Sequence, residues 1–312
     1  MSGYLDPLVV SLCNCIKAVW NNFTSYKLPE VIPYPIDDRT FLGDIKIPLG
    51  INTLGNIQYL NIGGETSHSY IVGQTGSGKS NITHLILSTL VNNYPKVKLI
   101  LLDYKRVELQ TYSNTKNCIR FEWEQENISD ALHEVYNLVL DRYDEMALKG
   151  ENVASKSVNP IFVAIEEISL MPKQDMKVLQ KILAISRACK IYFLITTQRP
   201  SNENISNTTK SLIGNRICLK TEDKKNSMIS LDREGCELLR GKGHGYLKSG
   251  GYTFEFQAYY IPLEVVKSIV SNHLKPIKES KVNTQVQDRP KSTKISNKKP
   301  QENKSSIKLN KL

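Results

Sequence analysis

The sequence predicts an α/β fold built on a doubly wound, mainly parallel sheet, and three observations carry that prediction. Short, continuously apolar runs alternate with helical patterns between about residues 61 and 262. Those runs lack the in-out alternation of a sheet with one wet face, so they read as strands covered on both sides. A glycine-rich loop joins the first of these runs to the first helical pattern, which is where such folds place their ligands.

Taken in order, the expected strands are SYIVG at 69–73, VKLILLD at 97–103, IFVAIEE at 161–167 and IYFLITT at 191–197. Helical spacing of apolar residues falls between them, over 80–90, 128–148 and 174–188. Residues 1–60 read as a lead-in, because Pro29, Pro33, Pro35 and Pro48 argue against long regular elements. Within it, the apolar patches of residues 5–23 suggest an amphipathic helix packing on the body or on a partner rather than lying on a membrane. The main folded block is expected at 61–265, and residues 266–312 are expected to form a disordered basic tail.

Composition narrows the function classes. The chain has 312 residues, 40% hydrophobic and 23% charged, with a formal net charge of +10. From Lys275 onward there are eleven Lys and Arg against three acids, so the tail carries most of that charge and the body is nearly neutral. This pattern suits a phosphate-contacting arm on a polyanion. No apolar stretch reaches membrane-spanning length, and the amino terminus has no signal-peptide pattern, so a membrane span is not expected. The six cysteines show no zinc-ligand spacing, which fits a reduced, cytoplasmic protein.

The strongest chemical signal is Gly73-Gln74-Thr75-Gly76-Ser77-Gly78-Lys79-Ser80, which fits G-x-x-x-x-G-K-[ST] in a strand-loop-helix context. Glycines let successive backbone N–H groups curl around phosphate oxygens, and the following helix offers its positive end. Lys79 would neutralise the β- and γ-phosphates of ATP, and the Ser80 hydroxyl would ligate Mg²⁺. A second apolar strand ends in Glu166 and Glu167. Two acids at a strand end are costly unless they emerge into solvent or have a task. With a P-loop present, the expectation is that Glu166 holds the ion through its water shell and Glu167 orients or deprotonates the attacking water.

The next strand is followed by Thr196-Thr197-Gln198-Arg199-Pro200. A strand ending in T-Q-R-P, after an acid-ended strand and a P-loop, resembles the FtsK/SpoIIIE family of DNA-pumping ATPases. Pro48-Leu49-Gly50 resembles its upstream turn region, and Leu102-Asp103-Tyr104-Lys105 with Glu108-Leu109 its I-D-P-K-x-x-E-L strand. Arg142-Tyr143 with Met146, Ser186-Arg187-Ala188, Asn215-Arg216-Ile217 and Leu238-Leu239-x-Gly241-x-Gly243 follow the family's order. The likeness covers about residues 45–262.

The resemblance implies a RecA-like motor core that forms a hexameric ring around double-stranded DNA, with ATP held between subunits. It implies that Gln198 reads the γ-phosphate from the strand tip, and that Arg187 or Arg216 reaches a neighbour's nucleotide. Lys105 and Glu108 are equally well read as structural residues at that interface. Three departures stand out: Glu166 where the family has Asp, Lys190 where it has Gly, and Met228 where it often has Arg. No multi-span anchor or winged-helix module is legible, so the expectation is a short form of the family. The functional expectation is an ATP-dependent duplex-DNA translocase or a coupling ATPase for DNA transfer. A nucleotide-binding adaptor that recruits a relaxase or replication partner is the alternative.

Overall fold

The computed structural model describes residues 27–276, apart from positions 38 and 65. The amphipathic helix expected at 5–23 and the tail from 277 onward lie outside the described residues.

The sheet runs β3-β2-β11-β10-β9-β4-β8-β7-β5-β6, with β1 (Ile32–Pro33) paired to β11 beside it. One half is parallel: β9 (Asn215–Leu219), β4 (Ser69–Val72), β8 (Ile191–Thr197), β7 (Ile161–Glu166), β5 (Lys98–Asp103) and β6 (Cys118–Glu122). The other half is antiparallel, with β2 (Ile45–Asn52), β3 (Ile57–Ile62), β10 (His244–Ser249) and β11 (Tyr252–Tyr260). All four strands expected from the apolar runs are present and lie side by side in the parallel half.

Helices cover both faces. Helix α1 (Lys79–Asn93) and α6 (Leu263–Asn272) pack on one, sharing a core with Leu99, Leu101, Phe162 and Leu194. On the other, α2 (Gln125–Lys149) and α3 (Lys173–Ile185) meet Ile100, Leu102, Val163 and Phe193. Neighbouring strand residues thus feed opposite layers, which is why these strands read as unbroken apolar runs. Two short helices, α4 (Asn207–Ser211) and α5 (Lys224–Leu231), flank β9. Arg142 is buried and donates to the carbonyls of Cys189 (2.6 Å) and Asn159 (3.2 Å), so its motif serves to anchor α2.

Two boundary expectations are corrected. The lead-in is not free of long elements, since β2 runs eight residues through Pro48. The strand tolerates proline because the β2–β3 register shifts between Pro48 and Gly50, a bulge that needs no N–H from the ring. Gly50 is required there: a Cβ would lie 1.9 Å from the Gln257 carbonyl oxygen. At the other end, α6 carries the folded chain past residue 266, with Val266, Ile269 and Val270 buried. Lys275 N–H donates to Asn114 O at 2.9 Å, so the fold closes just beyond the helix.

No helix among the described residues is long and apolar enough to cross a membrane.

Candidate functional site

Strand order decides what meets at the carboxyl end of the sheet. Strand β8 lies between β4 and β7, and β5 lies beyond β7. The P-loop, the Thr196-Thr197 tip, the acid pair and the turn after β5 therefore converge, although Lys79 and Thr196 are 117 residues apart.

The P-loop is locked at both shoulders: Gly73 N–H donates to Thr197 O (3.3 Å) and Gln74 N–H to Lys220 O (2.9 Å). Gly76 (φ 78°) and Gly78 (φ 101°) take left-handed backbone, and a Cβ on Gly78 would come within 2.4 Å of Gly243 N. Helix α1 then begins at Lys79 with no side-chain cap and no acid in its first turn. Its first N–H groups lack intrahelical acceptors, so they remain to serve an anion. Ser77 Oγ is also buried without a partner. A glycine cradle, an uncapped helix start and an orphaned hydroxyl fit a nucleotide's phosphates, and the neighbouring hydroxyl and carboxylates are hard oxygen donors that fit Mg²⁺.

Lys79 forms a buried ion pair with Glu166 and approaches Thr196 Oγ1 at 3.5 Å. Thr196 in turn donates to the second Glu166 oxygen. Burial pushes the Glu166 carboxyl above its ordinary value, and Lys79 and Thr196 only partly oppose that. Ser80 Oγ donates to Glu108, which stands on the turn after β5. The fully buried Asp103 builds that turn by accepting N–H groups from Lys105, Val107, Glu108 and Leu109, each at 3.0 Å.

Glu167 follows the strand in left-handed backbone, at φ 60° and ψ 66°. Its carboxylate accepts from Lys105 Nζ (2.6 Å), Ser169 Oγ (2.6 Å), Thr197 Oγ1 (2.7 Å) and Gln198 N–H (3.1 Å). Burial alone would raise its pKa, but those four donors outweigh it and hold the group at about 2. The two acids thus have separate partners, Glu166 toward the P-loop lysine and Glu167 toward Lys105.

A cleft of about 560 Å³ opens over this end, lined by Gln74 to Gly76, Gly78 to Asn81, Glu108, Gln198, Lys242 and Gln257, and walled by Glu30, Val31 and Tyr260. Of the expected site residues, the P-loop, Lys79, Ser80 and Gln198 gather here, with Glu166 behind Lys79. Arg187 does not: it is exposed on a second cavity away from the P-loop, among Lys96, Lys156 and Lys190. Arg216 lies on β9 with its guanidinium on Asp232 (2.8 Å) and the Ser230 carbonyl (3.4 Å). Sequence reasoning left Lys105 and Glu108 without a role and overlooked Asp103 and the two threonines. The spacing D-x-K-x-x-E was the available signal, since an aspartate ending a strand can cap the turn that follows it.

The FtsK/SpoIIIE family profile matches residues 37–234. The DNA translocase FtsK of Caldanaerobacter subterraneus subsp. tengcongensis is 30% identical over 270 residues, covering 78% of this chain and 38% of the relative. The DNA translocase SftA of Bacillus subtilis is 26% identical over 261 residues, 75% of this chain and 27% of its own. The chain thus spans well under half the length of these curated relatives. Among solved structures, the pCW3 conjugation coupling protein TcpA, with ATPγS, superposes with a TM-score of 0.67 at 22% identity, covering 79% of this chain and 75% of that one. EssC (ATPases 2 and 3) of Geobacillus thermodenitrificans gives 0.69 at 16% identity, covering 79% and 51%. At those identities the structures speak for the fold, that of the RecA-like P-loop ATPases. With the profile spanning more than half of its residues, the chain belongs to the FtsK/SpoIIIE family.

Proposed function

We propose that this protein hydrolyses ATP with Mg²⁺ to drive double-stranded DNA, as a translocase or as a coupling ATPase for DNA transfer, working as a hexameric ring. The observation that carries the reading is the convergence of Lys79, Ser80, Glu166 and Gln198 around one cleft at the strand ends. The names of the relatives, DNA translocases and a conjugation coupling protein, support the choice of DNA.

In this reading the P-loop N–H groups and Lys79 bind the phosphates, and Lys79 leaves Glu166 to do so. Ser80 and Glu166 hold the ion, directly and through its water shell. Magnesium, when bound, neutralises charge on the β- and γ-phosphates. Glu167 fixes the Gln198 backbone, which presents the Gln198 side chain at the cleft, and Glu167 orients the attacking water. Arg187, exposed and away from its own chain's cleft, suits a trans-acting role better than Arg216, which is engaged with Asp232. The basic residues beyond 276 contact DNA phosphates.

ATP turnover measured with and without long duplex DNA tests the proposal. Turnover rises with DNA and disappears in Lys79→Ala. Removing residues 277–312 lowers the salt slope of DNA binding by about 0.9 for each phosphate that the tail neutralises. Turnover indifferent both to DNA and to Lys79→Ala refutes the motor. The closed Lys79–Glu166 pair and the saturated Glu167 carboxylate favour one second reading, a nucleotide-binding adaptor with little turnover. It predicts nucleotide-dependent assembly without hydrolysis.

A further inference from the structure

We infer that Glu108 is the residue that positions the Ser80 hydroxyl for the metal ion. The inference rests on the nucleotide site proposed above and deepens it. A hydroxyl ligates a cation well when its proton is held by another acceptor, so that an oxygen lone pair turns to the metal. The Glu166 oxygens meet Lys79 and Thr196 rather than the Ser80 hydroxyl. Ser80 instead donates to Glu108, which reaches the P-loop from the turn after β5 and lines the cleft.

Two features mark this contact as built. The turn that carries Glu108 is held by Asp103, whose Oδ2 accepts the Glu108 N–H itself at 3.0 Å. The carboxylate's other oxygen, Oε2, is buried and has no partner among the described residues. An orphaned carboxylate oxygen costs free energy unless something arrives to use it, and a metal-bound water is a donor of the right chemistry. Glu108 therefore anchors Ser80 with one oxygen and keeps the second for the ion's water shell.

Titration of the protein with Mn²⁺ in the presence of ADP, followed by electron paramagnetic resonance, tests this without reference to hydrolysis. Glu108→Ala weakens Mn²⁺ binding about 10–100-fold, while ADP affinity in chelator and the thermal midpoint stay near wild type. Glu108→Gln retains an acceptor but loses the charge, so it weakens binding less, and it serves as the informative variant if the alanine protein does not fold. Ser80→Ala produces a similar loss, and the double variant loses less than the product of the two single losses, since part of the Glu108 effect acts through Ser80. Mn²⁺ affinity within about twofold of wild type in Glu108→Gln and Glu108→Ala overturns the inference, as do losses at Ser80 and Glu108 that multiply. Absence of DNA-stimulated turnover would sink the motor while leaving this binding result intact, so the two failures are distinguishable.

Discussion

Asp103 is the residue on which the second half of the site depends, and Asp103→Asn isolates its contribution. The carboxylate is fully buried, with Oδ1 on the Lys105 N–H and Oδ2 on three consecutive N–H groups. An asparagine of the same shape has one acceptor. Its oxygen serves the three-donor side, and its amide then faces the Lys105 N–H, donor against donor. Bonds to a charged acceptor contribute about 1.5–3 kcal/mol and neutral ones about 0.5–1.5, while an unsatisfied buried donor costs about 1–3. Discounting for non-additivity, the substitution should cost about 3 kcal/mol of unfolding free energy, read as a lower urea midpoint at unchanged slope. Because the turn carries Lys105 and Glu108, Mn²⁺ affinity in the presence of ADP falls as well. A loss below about 1 kcal/mol would show that the turn holds itself without the carboxylate, and the account of how Glu108 is presented would fail.

Glu166→Asp restores the residue usual in the family and shortens the reach to Lys79; ATP turnover is preserved or raised, and a fall of more than about tenfold, roughly 1.4 kcal/mol of barrier, contradicts the assignment of Glu166 to the ion. Glu167 is held at about 2 against an ordinary 4.5, a depressed carboxyl, so the stability it supplies is present above about pH 4.5 and is lost as pH falls toward 2. Acid titration of the unfolding free energy should therefore be steeper over that window in wild type than in Glu167→Gln, and parallel curves refute the linkage. Gly50→Ala drives a Cβ into the Gln257 carbonyl and must part β2 from β11, costing about 3 kcal/mol in a denaturant titration.

The four central strands β4, β8, β7 and β5 were legible because they are buried on both faces and carry no charge inside their apolar runs, whereas β6 and β9, interrupted by Arg120 and Arg216, were not. The antiparallel half was not. In β2 the proline masked a strand whose bulge accommodates it. The β10–β11 hairpin did leave a signal, Gly250-Gly251 between apolar alternations, and both glycines are left-handed, with Ser249 paired to Tyr252. Helix α6 was assigned to the tail because basic composition outweighed the spacing of Leu263, Val266 and Ile269.

The site divides along the same physical line. The P-loop is contiguous, so its chemistry is written in eight consecutive residues. The pairings of Lys105 with Glu167 and of Ser80 with Glu108 depend on which strand lies beside which, and no spacing within one segment encodes that. What the sequence did carry was the separation of Glu166 from Glu167, since neighbours at a strand end cannot face the same way. The structure extends that argument: β7 stops at Glu166, and the left-handed turn at Glu167 swings the second carboxylate away from Lys79 onto Lys105 and the β8 tip. One acid is thereby coupled to the nucleotide's lysine and the other to the strand that carries Gln198. A change in either partner of Lys79 is felt through Thr196, which donates to Glu166 and accepts the Glu167 N–H at 3.3 Å. Lys79 leaving Glu166 for a phosphate would therefore reach Gln198 through Thr196 and Glu167, a connection short enough to link phosphate occupancy to the strand tip.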